Sequence, residues 1–133
     1  MQKQMMRRIF LLAVSALLGI AAQAGGGYAQ ATFVERSHDF GYIKEAKGPV
    51  SHTFEFENTG DKPLIIVSAT TECGCTRPEY PTKPIKAGKK GKVKVTFSPV
   101  GRLGAFVKTI KVRTNGREKT TVLVIKGSVI PKK

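Results

Sequence analysis

From Thr32 onward the apolar residues recur with period two, and no stretch carries a sustained helical period. In Val50-Ser51-His52-Thr53-Phe54-Glu55-Phe56-Glu57, one face holds Val50, Phe54 and Phe56 while the other holds Thr53, Glu55 and Glu57. Val93, Val95 and Phe97 alternate with Lys92, Lys94 and Thr96, and Ile110 and Val112 with Thr109, Lys111 and Arg113. Each is the pattern of a strand with one buried face, typical of antiparallel sheets. The runs Leu64-Ile65-Ile66-Val67 and Val122-Leu123-Val124-Ile125 are apolar throughout. They suit central strands covered on both sides, or segments that change sheet.

Turn signals separate these runs: Asn58-Thr59-Gly60-Asp61, Ala87 to Gly91, Gly101 to Gly104, and Asn115-Gly116. Asn115-Gly116 predicts a tight type I′ hairpin with positive φ between the last two long strands. Pro63, Pro84 and Pro99 fall at strand margins, where a missing N–H does little harm. The expected fold is all-β, an immunoglobulin-like antiparallel sandwich of about seven strands.

The N-terminus differs in kind. Lys3, Arg7 and Arg8 precede the apolar run Ile9–Ala22, and small residues follow. This is the three-part pattern of a secretory signal peptide, and the run falls short of the about 20 residues a membrane span needs. Small-x-small patterns allow cleavage after Ala24, Ala29 or Ala31. The expected division is a signal peptide over 1–29 and one sandwich domain over 30–133. The product is then exported, periplasmic or secreted, with no transmembrane segment in the mature chain.

Composition narrows the function. At 133 residues the chain holds one domain at most and is too short for most architectures that gather catalytic groups from distant loops. Two Cys exclude a disulfide-dense scaffold. Removing residues 1–29 takes away three positive charges and no acid, lowering the net charge from +14 to +11. Export keeps a basic domain from nucleic acid, and no aromatic residues interleave to stack bases. Acidic envelope polymers or an acidic partner protein fit better, but Lys on strand exteriors also guards edges against aggregation. Lys108 stands out because alternation puts it on the face of Phe106 and Ile110. Either a bulge reorients it, or its stem packs and its amine emerges at the margin.

No Ser-His-Asp order, glycine-rich phosphate loop, paired-carboxylate motif or cofactor-binding pattern stands out, so no catalytic residue is assigned. Glu72 and Glu79 flank the Cys loop as solvated charge. The one spot with chemical potential is Cys73-Gly74-Cys75, followed by Thr76 and Arg77. Two positions apart on an extended chain, the Cys side chains share a side, with Cα atoms near the upper limit of about 6.8 Å for a disulfide. Gly74 can bend the backbone and shorten that distance.

Three uses remain open for the pair. It rigidifies the loop, as a disulfide or as packed thiols; it exchanges with a partner thiol, with Arg77 lowering a thiol pKa; or it holds a soft metal, Cu(I) or Zn(II). His38 and His52 are the only imidazoles; His52 reads as a core-edge residue and His38 as exposed.

The order of motifs resembles the bacterial envelope family called domain of unknown function fifteen-seventy-three. The matching residues are Asp39-Phe40-Gly41-Tyr42-Ile43, Phe54 to Gly60, Pro63-Leu64, Cys73-Gly74-Cys75-Thr76, Gly91 with Val93, Val95 and Phe97, and Gly104 with Phe106, Lys108, Ile110 and Asn115. The resemblance implies an Ig-like relative of the PapD, sperm-protein and cilium-associated modules, which bind partners through exposed strands. It implies no activity. The expected function is a non-catalytic interaction module that binds envelope proteins by a sheet face or strand edge, with Cys73, Gly74, Cys75, Thr76 and Arg77 in the contact. The alternative is a periplasmic thiol-redox or copper-binding protein built on the Cys pair.

Overall fold

The computed structural model describes residues 27–132. The expected leader lies outside the described residues as far as residue 26. Eight strands form two four-stranded sheets: β1 (Ala31–Phe33), β2 (Ser37–Lys44), β3 (Val50–Asn58), β4 (Ile66–Thr70), β5 (Thr76–Glu79), β6 (Lys90–Phe97), β7 (Gly104–Thr114) and β8 (Thr120–Ile130). One sheet runs β1-β3-β6-β5 and the other β2-β8-β7-β4. The alternating residues meet between them: Phe54, Val93, Val95, Phe97, Ile110, Val112, Leu123 and Ile125 are all fully buried.

The sheets are antiparallel except where β2 joins β8 in parallel. β1 and β2 are joined by the short link 34–36, which bends at Val34 and Arg36 and carries the chain from the first sheet to the second. This switch yields one strand beyond the expected seven. Within Leu64–Val67, Leu64 forms an isolated bridge to Ile85 outside both sheets, and Ile66 then opens β4.

The expected type I′ turn at Asn115-Gly116 is not what forms, since neither residue has positive φ. The connection is the longer loop 115–119, and tertiary partners set its shape. Asn115 Oδ1 accepts from Ile65 N at 2.8 Å, and Arg117 N donates to Ala29 O at 2.8 Å. Gly116 is needed for close approach, because a Cβ there would lie 2.9 Å from Ala29 O. Lys108 settles the other way: the β7–β8 register runs unbroken from Gly104 to Arg113, so no bulge turns it out, and it sits half-buried on the inner face.

The N-terminal residues of the described chain are part of this fold. Ala29 is 3% exposed, Tyr28 O accepts from Asp61 N at 2.9 Å, and the Arg117 guanidinium lies 5.0 Å from the Tyr28 ring centroid. A boundary after Ala29 therefore cuts through a buried, hydrogen-bonded segment.

Candidate functional site

Cys73 and Cys75 are joined in a disulfide with Cα atoms 5.1 Å apart, so the turn at Gly74 brings them inside the usual range. Thr76 N donates to Cys73 O at 3.2 Å and closes the turn. Cys75 and Thr76 are buried, Cys73 is half-buried, and Gly74 and Arg77 are exposed. Gly74 has no positive φ, and a Cβ there would meet nothing within 4 Å. Neither backbone angle nor packing inside the domain requires that glycine. The Arg77 guanidinium lies 3.7 Å from Glu79, on the outer side of β5. With both sulfurs in the disulfide, the pair offers no thiolate to a soft metal.

The turn lies beside an incomplete sheet edge. β4 spans 5 residues and β7 spans 11, and β4 pairs only with Lys111 to Thr114. Among the described residues no strand covers the first half of β7 on that side. Thr114 N donates to Lys119 O, which fixes the antiparallel alternation: even-numbered β7 residues bond to β8. Ala105, Val107 and Thr109 therefore aim their N–H and C=O groups outward. A groove of about 340 Å³ runs along this edge, lined by Thr71, Glu72, Cys73, Val107, Lys108 and Thr109. Val107 is 64% exposed and Leu103, just before β7, is 66% exposed.

The other edges are blunted. Pro78 interrupts β5, β1 has 3 residues, and the β2 register slips between Asp39 and Tyr42 at Gly41. Lys90, Lys92 and Lys94 line the outer face of the first sheet as alternation predicts, but Glu57, Glu55 and Thr53 stand opposite them, and Glu79 also faces Lys94. That face is mixed in sign.

A second cluster joins the two sheets. His38 on β2 stacks on His52 of β3, with ring centroids 3.6 Å apart and planes 7° apart. Phe40 meets His38 edge-on at 4.6 Å and Phe54 meets His52 edge-on at 4.8 Å. Glu35, in the link between β1 and β2, bonds the His52 ring through Nε2. His52 is the core-edge residue its alternation predicts; His38 is half-buried against it, not exposed. No sequence signal pairs them, because the contact exists only across the sandwich.

Burial pushes the His38 pKa below its ordinary 6.5, and the neighbouring His52 charge pushes it the same way against Glu35 and Asp39. Folded His38 thus holds its proton less tightly than the unfolded chain does. As pH falls below about 6.5, the unfolded state protonates first and stability is lost until the folded pKa is passed. Thermal melts are expected to show a lower midpoint at pH 5 than at pH 7.5, and His38→Gln to flatten that slope. An unchanged slope in the variant would remove His38 as the cause.

Residues 31–129 match the family described as "Protein of unknown function (DUF1573)". No curated protein matches the sequence. Among solved structures, a protein of unknown function from Porphyromonas gingivalis W83 superposes with a TM-score of 0.64 at 17% identity, over 77% of this chain and 46% of that one. The PapD-like domain 7 of human CEP192 superposes with a TM-score of 0.60 at 13% identity, over 80% of this chain and 89% of that one. The secreted serine protease VesC from Vibrio cholerae gives 0.56 at 9% identity, over 74% of this chain and 23% of that one. The chain thus spans less than half of the Porphyromonas protein and about a quarter of the protease. These likenesses establish an Ig-like, PapD-like sandwich.

Proposed function

The chain belongs to the DUF1573 family of proteins of unknown function, and on that premise we propose that it is an exported, non-catalytic module that binds a partner protein by strand addition. The observation that carries this reading is the uncovered first half of β7 beside the Cys73–Arg77 turn. An added strand gains affinity from main-chain hydrogen bonds and specificity from side-chain pockets. Here the outward groups of Ala105, Val107 and Thr109 supply the bonds, and the groove under Cys73 supplies a pocket. Half-buried Lys108 discourages pairing between copies of this chain in the register that brings two lysines together. It favours a partner strand with an acidic side chain at the facing position.

Val107→Pro tests the site. It deletes one outward N–H and leaves the even-numbered bonds to β8 in place, so the fold is expected to survive with a small stability loss. Chemical cross-linking in the native envelope, followed by capture of the chain, is expected to recover a defined partner with the wild type and to lose it with Val107→Pro. Equal recovery from both would overturn strand addition at β7.

A second reading is favoured by one observation: the half-buried Cys73 sulfur sits at the rim of that groove, within reach of an incoming thiol. Partner capture by thiol–disulfide exchange would then join Cys73 to the partner and release Cys75 as a thiol, with no net oxidation. Cys73→Ser/Cys75→Ser separates the two readings, since it abolishes capture by exchange and leaves capture by strand pairing.

Export rests on the Lys3, Arg7, Arg8 and Ile9–Ala22 pattern and fits a chain with a disulfide. The burial of Ala29 and the hydrogen bonds of Tyr28 and Ala29 favour cleavage after Ala24 over cleavage after Ala29. Intact mass of the secreted form is expected to give Gly25 as the first residue; a chain beginning at Gln30 would refute that placement.

A further inference from the structure

We propose that Glu35, His38 and His52 form a binding site for a borderline divalent cation of the Zn²⁺ or Cu²⁺ type. One nitrogen of each ring and a Glu35 carboxylate oxygen lie within 4.8 Å of one another. Two imidazoles and a carboxylate match the preference of these metals, and such a triad leaves a fourth position for water or a partner's side chain. The three donors come from separate elements: the link after β1, β2 of one sheet, and β3 of the other.

The surroundings are those of a held but accessible donor set. Phe40 and the buried Phe54 meet the two rings edge-on. His38 and His52 are half-buried and Glu35 is exposed, so the site opens to solvent on the carboxylate side. The protein uses only part of the donor capacity. Glu35 bonds His52, whereas His38 makes no hydrogen bond to protein among the described residues.

Zinc–ligand bonds of about 2.0–2.1 Å put tetrahedral donors roughly 3.3 Å apart. In-plane lone pairs of stacked rings run parallel, so coordination of one ion requires His38 and His52 to rotate out of the stack. A bound cation replaces the Glu35–His52 bond and ties β2 to β3, stapling the two sheets at this edge. The site is independent of the Cys pair and of the β7 edge.

Purified protein without a histidine tag, stripped by chelation, is titrated with Zn²⁺ against a chromogenic chelator. One Zn²⁺ per chain is expected, weakened at least about 100-fold by His38→Gln or His52→Gln and unchanged in Cys73→Ser/Cys75→Ser. The chain has only 2 His, so imidazole ¹⁵N spectra of the unmodified protein give a readout that needs no variant. Both rings should shift together on metal addition. Absence of stoichiometric binding, a shift in one ring only, binding that survives loss of both His, or binding lost with the Cys pair would each overturn the proposal.

Discussion

Asn58→Ala is expected to cost about 3–5 kcal/mol, a large share of the roughly 5–15 kcal/mol that holds an ordinary domain together. Asn58 ends β3 and is fully buried. Its Oδ1 accepts from Gln30 N at 3.2 Å and Gly60 N at 3.1 Å, and its Nδ2 donates to Lys62 O at 2.7 Å and Ile85 O at 2.9 Å. One side chain thus satisfies four main-chain groups from three separate segments. Truncation strands Gln30 N, Gly60 N and Lys62 O, at about 1–3 kcal/mol for each group that water cannot reach, while Ile85 O keeps its bond from Leu64 N at 2.8 Å. The Lys62 carbonyl needs a donor, so Asn58→Asp should fare no better: it keeps the acceptor for Gln30 N and Gly60 N and aims a buried charge at the Lys62 and Ile85 carbonyl oxygens. Urea unfolding measures both variants. A loss under about 1 kcal/mol for Asn58→Ala would mean that water replaces the side chain at little cost.

Phe97→Ala is expected to have an effect of similar size, about 3–5 kcal/mol, through a cavity in place of lost hydrogen bonds. Phe97 is fully buried at the end of β6, opposite Val50 on β3 and Thr76 on β5. Its ring stacks on Phe106 of the other sheet at 4.1 Å, with planes 14° apart. This contact joins the sheets beneath the exposed start of β7. The variant should therefore also loosen the β7 edge and weaken partner capture. Phe97→Leu keeps most of the volume and should cost about 1–2 kcal/mol. At roughly 4–8 °C per kcal/mol for a domain of this size, thermal melts resolve the two variants easily. Equal midpoints for Leu and Ala would show that the stack is not what joins the sheets there.

The sandwich was legible because its information is local. Period-two alternation at Val50–Glu57 and Lys92–Phe97 needs only neighbouring residues to declare a buried face, and those faces are the ones buried. The Cys pair was legible for the same reason, since two residues of spacing already limit what the sulfurs can reach. Asn115-Gly116 shows where local chemistry is outvoted: the dipeptide permits a tight hairpin, but bonds to Ile65 and Ala29 impose the longer loop. Tyr28 and Ala29 carry a second role that their local pattern does not declare: the small-residue stretch that reads as a processing site also holds buried Ala29 and hydrogen-bonded main chain.

By itself, then, the order of residues determined the half-buried strands β3, β6 and β7, their inward faces and the family. Only the tertiary structure decided which edge stays uncovered and which histidines meet. β4 stops at Thr70, and whether another strand takes over along the start of β7 depends on where the chain goes next; it turns at Cys73 and crosses to the other sheet. His38 and His52 lie on strands of different sheets, and their contact depends on how the two sheets stack. Both are relations between segments distant in sequence, set by packing, and no pattern within either segment encodes them.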